Sequence, residues 1–225
     1  MHRFYEAPIT YILILLSSAM FALTLWIGGS IEAISLKTLV DLGALYGPYV
    51  VFKAEWWRLL SAMFLHGGMT HILMNMVSLY IVGRAVERYF SRVAYLTIYF
   101  FSGLFGGMAS LYMHPVSVGV GASGAIFGLF GALAGFFLAH RQQMASYTKA
   151  FMQDFGTILG LNLLLGVMVD SIDLSAHIGG LMIGFCGGYV IAKHPTWVWL
   201  FSLASLAGLY MAGDALIAYY TQILL

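Results

Sequence analysis

Ser123, His177, His71 and Asn75 are the residues of this 225-residue chain whose types and spacing could carry out acyl chemistry. A serine hydroxyl is a weak nucleophile until a neighbouring base takes its proton, and an imidazole with a pKa near neutral is the usual base. The attacked carbonyl becomes an oxyanion and needs hydrogen-bond donors. His71 and Asn75 stand at i and i+4 of one apolar run, so they share a helix face and, with the backbone N–H of Ser123, could supply those donors. Gly121 and Gly124 flank the serine and would let a substrate backbone come close. Taken singly, each residue is weak evidence. A serine in a transmembrane helix usually bonds to its own turn, and an intramembrane histidine serves structure as readily as function.

The elements that must bring these groups together are two apolar helices with small faces. Gly124, Gly128, Gly131 and Gly135 fall on one stripe of the helix that Ser123 heads, and Gly180 and Gly184 form a small-xxx-small face on the helix that His177 heads. In lipid there is no hydrophobic drive between helices, so close backbone packing has to replace it. Two such faces predict a tight seam with the hydroxyl and the imidazole at its head.

Composition places that seam in a membrane. Hydrophobic residues make up 61% of the chain and charged residues 8%, against about a quarter charged in soluble domains. The formal net charge of +1 gives no basic field for nucleic acid. Cys186, the single cysteine, excludes an intrachain disulfide and reads as a small packing residue. Apolar runs long enough to cross predict seven spans at 9–28, 68–88, 93–113, 121–139, 151–169, 174–192 and 197–220. The run 9–28 is taken as a first span because no convincing cleavage site follows it. No soluble domain or linker is left over, so residues 1–225 form one membrane domain, all-α.

The segment from Gly29 to Gly67 is too polar to cross, and short interfacial helices are expected at 33–39 and 56–64. Arg3, Arg84, Arg88, Arg92, Arg141, Lys149 and Lys193 fall on one side of the spans, against Lys37, Lys53 and Arg58 on the other. The positive-inside rule then predicts a cytoplasmic N-terminus and puts His71, Asn75, Ser123 and His177 near the outer ends of their helices. Asp170 and Asp173 precede the sixth span and read as solvated loop residues, so no carboxylate is placed to complete a triad. His2, His140 and His194 flank inner helix ends, His114-Pro115 reads as an outer turn, and Asp214 lies within the seventh span.

Taken jointly, Glu55-Trp56-Trp57-Arg58, Phe64-Leu65-His66 with His71 and Asn75, Gly83-Arg84-Ala85-Val86-Glu87, Gly121-Ala122-Ser123-Gly124 and Ala176-His177-Ile178-Gly179-Gly180 resemble the rhomboid intramembrane serine proteases. The resemblance covers about Glu55 to Lys193. It implies a six-helix core over 9–193, with 197–220 as an additional C-terminal helix, and proteolysis at or near transmembrane segments without metal or ATP. By motif, Ser123 is the nucleophile, His177 the base, and His71 and Asn75 the oxyanion donors. His66 matches a histidine that supports the oxyanion region, Trp57-Arg58 a motif bracing the first outer loop, and Glu87 a structural acceptor at the inner end of the second span. Where the family often places a tyrosine against the histidine ring, this chain has Phe127, which can stack but has no hydroxyl.

The implied partners are the bilayer and transmembrane substrates that enter laterally, locally unwound so that a carbonyl becomes accessible. A non-proteolytic rhomboid-like protein that binds membrane clients is the alternative, although such relatives typically lack dyad residues that this chain retains. A transporter would show paired halves or broken helices with central charges. A metalloprotease would show a His-Glu-x-x-His helix. Neither pattern is present. Short loops and the lack of targeting character suggest a bacterial plasma membrane.

Overall fold

The computed structural model describes residues 7–28, 30, 31, 34–168 and 172–224. His2, Arg3, Ala33 and Asp170 therefore lie outside the described residues, along with what the sequence predicts for them. Among the described residues ten α-helices follow in order: α1 (Pro8–Gly28), α2 (Leu36–Asp41), α3 (Gly47–Phe52), α4 (Arg58–Ser61), α5 (Met69–Tyr89), α6 (Arg92–Met113), α7 (Ser123–Ala139), α8 (Ala145–Met168), α9 (Leu174–Lys193) and α10 (Val198–Leu224). Strand β1 (Leu45–Tyr46) pairs antiparallel with β2 (Val118–Gly119), aligning Leu45 with Gly119.

The chain is an integral membrane protein, an all-α bundle in which α1, α5, α6, α9 and the run Pro195–Leu224 are each long and apolar enough to cross a membrane. The remaining two of the seven predicted spans depart from that measure. Helix α7 is apolar but only 17 residues long, about 25 Å, and protein covers most of it. Helix α8 starts six residues earlier than expected, and its first half carries Lys149, Gln153 and Asp154.

The seam between α7 and α9 forms as the glycine pattern predicts. A Cβ on Gly180 would collide with the carbonyl oxygen of Gly124, one on Gly184 with that of Gly128, and one on Gly131 with that of Leu181. Helix α6 closes the third side, where Gly106 and Ser102 meet Ala176 and Gly128. These three helices touch backbone to backbone. In contrast, nothing lies within 4 Å of the positions a Cβ would take on Gly156 and Gly160 of α8.

Glu87 ties α1 to α5. Its carboxylate accepts from the N–H groups of Ile9 and Thr10 at 3.0 Å each and from the Thr10 hydroxyl at 2.6 Å. Pro8 has no N–H to offer, so the carboxylate serves the next donors of a helix start that local sequence leaves uncapped. The acceptor role expected of Glu87 is thus directed at a helix start.

At the other end of the bundle, α10 is built into the first loop. The buried Tyr220 hydroxyl donates to the carbonyls of both Leu111 and Pro115 at 2.9 Å, and the same oxygen occupies the space a Cβ on Gly47 would need. Tyr112 donates to Ala212 O at 2.9 Å.

The loop itself differs from expectation. Helix α2 lies three residues beyond the start expected for it. The second interfacial helix is a single turn, α4, followed by a 3-10 turn at Ala62–Phe64. Helix α3 and the β1–β2 pair were not predicted at all. Cys186, expected to pack, is exposed on α9.

Candidate active site

Ser123 is the first residue of α7 and His177 lies in the first turn of α9, so the glycine seam brings the two helix heads together. Ala176, beside His177, has its carbonyl oxygen 3.2 Å from where a Cβ on Gly124 would stand. The His177 ring is buried. Phe127, one turn along from Ser123, stacks on it with ring centroids 4.1 Å apart and planes 11° from parallel. That contact fixes the plane of the imidazole and directs its edge. Among the described residues the buried His177 Nδ1 has no hydrogen-bond partner. Nucleophile–base hydrogen bonds are often long in a free enzyme and tighten with substrate.

His71 reaches the same place from α5. Gly121 has φ +122°, a conformation that favours glycine, and a Cβ there would lie 2.8 Å from His71 Nε2. The glycine therefore admits the imidazole itself, two residues before Ser123. His71 Nδ1 accepts from the Gly67 N–H at 3.4 Å. In that tautomer Nε2 carries the proton and faces the serine turn as a donor. The Gly121 N–H in turn donates to Ala62 O at 2.9 Å, which pins the turn to the 3-10 segment.

Asn75 is buried one turn below His71. Its Nδ2 donates to the His71 carbonyl at 2.9 Å, and its Oδ1 has no partner among the described residues. One amide proton remains for another acceptor.

His66 is fully buried and packs edge-on against His71, with centroids 5.2 Å apart. Burial first, and His71 second, push its pKa down to about 3, so it is neutral at physiological pH. No well-aligned hydrogen bond reaches either ring nitrogen, although the Phe64 backbone is close enough to offset part of the shift.

Arg58 is buried and acts as the clasp of the first loop. Its Nε pairs with Glu55 at 2.6 Å, while Nη1 donates to Val40 O at 2.7 Å and to Ala44 O at 3.0 Å. Trp57 remains half-exposed and covers Gly43, whose φ is +101°. Both contacts fit the bracing role the motif implies.

Asp173 is not the solvated loop residue expected. It is the N-cap of α9, with its carboxylate accepting from the Ala176 N–H at 3.0 Å and the Ser175 hydroxyl at 2.5 Å, and with His114 Nε2 3.8 Å away. Burial works against the charge. Hydrogen bonds from Ser110, Ser175 and Ala176, together with His114, outweigh it and hold the carboxyl below its usual range. An Asp directly ahead of an apolar periodic run is a helix-start signal in the sequence.

Ser123, His177, His71, Asn75, His66, Phe127, Gly121 and Gly124 thus gather at one end of the bundle, while Glu87 sits at the opposite end. Residues 53–194 match the family model for the Rhomboid domain. The chain is 41% identical over 165 residues to RHOMBOID-like protein 2 of Arabidopsis thaliana, covering 73% of this chain and 51% of that protein. It is 41% identical over 180 residues to the rhomboid protease GluP of Bacillus subtilis, covering 78% and 33%. With YdcA of the same bacterium it shares 34% over 169 residues, covering 75% and 81%. The chain spans about half or less of the length of the first two of these relatives.

Proposed function

The chain belongs to the rhomboid family, and on that premise we propose that it is an intramembrane serine endopeptidase, cutting membrane proteins in or next to their transmembrane segments. Ser123 attacks the scissile carbonyl and His177 takes its proton. In this reading the oxyanion is held by His71 Nε2–H, the Asn75 amide and the Ser123 N–H. Collapse of the tetrahedral intermediate returns the proton from His177 to the leaving amine, and water repeats the sequence on the acyl-enzyme.

The observation that carries this is the stack of Phe127 on His177 at the head of the α7–α9 seam. A buried imidazole held by its face presents its edge to its neighbours, and the ring that holds it lies one turn along the helix that Ser123 heads. In this proposal the N-terminus is cytoplasmic and the site lies near the outer face of the membrane, bacterial plasma membrane being the setting. Substrate helices enter from the side and unwind locally, because a helical carbonyl is already hydrogen-bonded.

The test is cleavage of a single-span reporter in liposomes by wild type and Ser123→Ala, with fluorophosphonate labelling alongside. Cleavage and labelling are expected in the wild type and absent in the variant. Undiminished cutting by Ser123→Ala rejects the proposal, and a wild type that binds clients without labelling points to the non-proteolytic alternative.

A further inference from the structure

Asp173 stands at the head of the helix that carries the proposed base and makes more contacts than a cap requires. One acceptor contact to the first turn suffices to cap a helix. This carboxylate accepts from the Ala176 N–H and the Ser175 hydroxyl, and faces His114 Nε2 at 3.8 Å. Its own carbonyl accepts from the His177 N–H at 3.2 Å, which places the two residues one turn apart.

His177 has the opposite difficulty. When it takes the serine proton it becomes a cation in a buried site, within the first turn of α9, where the helix dipole presents its positive end. Phe127 covers one face of the ring, and Nδ1 has no partner among the described residues. A buried cation without a compensating charge is costly.

The other charged or titratable groups packed around this end of α9 do not compensate. His71 from α5 and His114 from α6 can only be neutral or positive. Helix α7 carries no ionisable side chain, the charges of α8 lie in its first half at the opposite end, and α10 offers Asp214 on an exposed position. Asp170 lies outside the described residues.

We propose that Asp173 is a positioning residue for the proposed dyad: its carboxylate, fixed one turn from His177, orients the imidazole through the capped first turn of α9 and supplies the negative field that stabilises the imidazolium, without bonding to the ring. The inference rests on the assignment of Ser123 and His177 as nucleophile and base.

The experiment measures kcat/KM against pH for Ser123-dependent cleavage of a single-span reporter in liposomes, in wild type, Asp173→Asn and Asp173→Ala. Asparagine keeps an oxygen for the cap and removes the charge; alanine removes both. For Asp173→Asn the thermal midpoint is expected to stay near wild type. The acid limb of the profile moves to lower pH by about half to one unit, because the imidazole holds its proton less tightly. The plateau falls by roughly three- to tenfold, because a weaker base serves the same step. Asp173→Ala lowers the thermal midpoint as well, and if it fails to fold the asparagine variant alone decides. A profile for Asp173→Asn that superimposes on an active wild type overturns the inference and leaves the dyad standing. A wild type without Ser123-dependent cleavage or labelling overturns both.

Discussion

The Phe127 ring lies flat against the His177 imidazole, 4.1 Å away and within 11° of parallel. Phe127 belongs to the helix of the proposed nucleophile and His177 to the next but one, so this aromatic contact ties the imidazole to the helix that Ser123 heads. Removing it frees the imidazole to rotate. Phe127→Ala is expected to lower kcat about ten- to a hundredfold with a smaller change in KM, since misorientation costs the chemical step. Phe127→Tyr keeps the stack and is expected to retain activity. Reporter cleavage at saturating substrate decides, and a Phe127→Ala enzyme with unchanged kcat would remove the ring from the account.

The α7–α9 seam leaves no room for a methyl group. Gly180→Ala and Gly184→Ala each drive a Cβ into a backbone carbonyl, of Gly124 and Gly128 respectively, and backbone cannot swing aside as a side chain does. Each is expected to destabilise by about 1–3 kcal/mol. Gly160→Ala on α8 meets open space and is the control expected to change little. Thermal unfolding in detergent measures all three.

His66 predicts a pH dependence of stability. Its folded-state pKa, near 3, lies below the ordinary histidine value, so between those two values the unfolded chain binds the extra proton. Stability from this residue is complete above about pH 6.5 and declines as pH falls toward 3, by at most about 1.4 kcal/mol per unit. Replacing His66 with glutamine is expected to flatten the acid side of a plot of midpoint against pH. An unchanged slope would assign that dependence to another group.

Tyr220 and Gly47 form a pair that a double-mutant cycle can isolate. Tyr220→Phe loses the donor to Leu111 and Pro115, a cost of about 1–2 kcal/mol. Gly47→Ala collides with the hydroxyl, with the backbone carbonyl of Pro115 and with the ring edge, and only the first of these is relieved by Tyr220→Phe. In the double variant the hydroxyl is gone, so the two losses are expected to sum to less than their separate values. Strict additivity in the unfolding midpoints would show that the pair does not couple.

Much of the bundle was legible because apolar runs near the length of a bilayer and glycines at helical spacing are local signals that lipid enforces. Gly124, Gly128, Gly131, Gly180 and Gly184 were read as a seam, and they form one. The same locality explains the misses. Helix α3 and the β1–β2 pair are too short to form by themselves; they are held by Arg58, which reaches Val40 and Ala44 across more than a dozen residues, and by Tyr220 from the far end of the chain. Glu87 meets Thr10 across 77 positions, which no window of sequence displays. Asp173 is different: its signal is local, an acid directly ahead of an apolar run, but the same residue type in a loop is equally at home in water, so the sequence pattern does not separate cap from solvated acid.

Helix α7, which carries Ser123, is covered on its glycine face by α9, which starts 51 residues later in the chain (174 against 123). On a ribosome, the proposed nucleophile therefore enters the bilayer before the proposed base exists, and the nascent chain holds the Ser123 hydroxyl beside bare backbone carbonyls. On that assignment the two side chains can meet only when α9 docks, so the order of synthesis sets a delay between the entry of one and the arrival of the other.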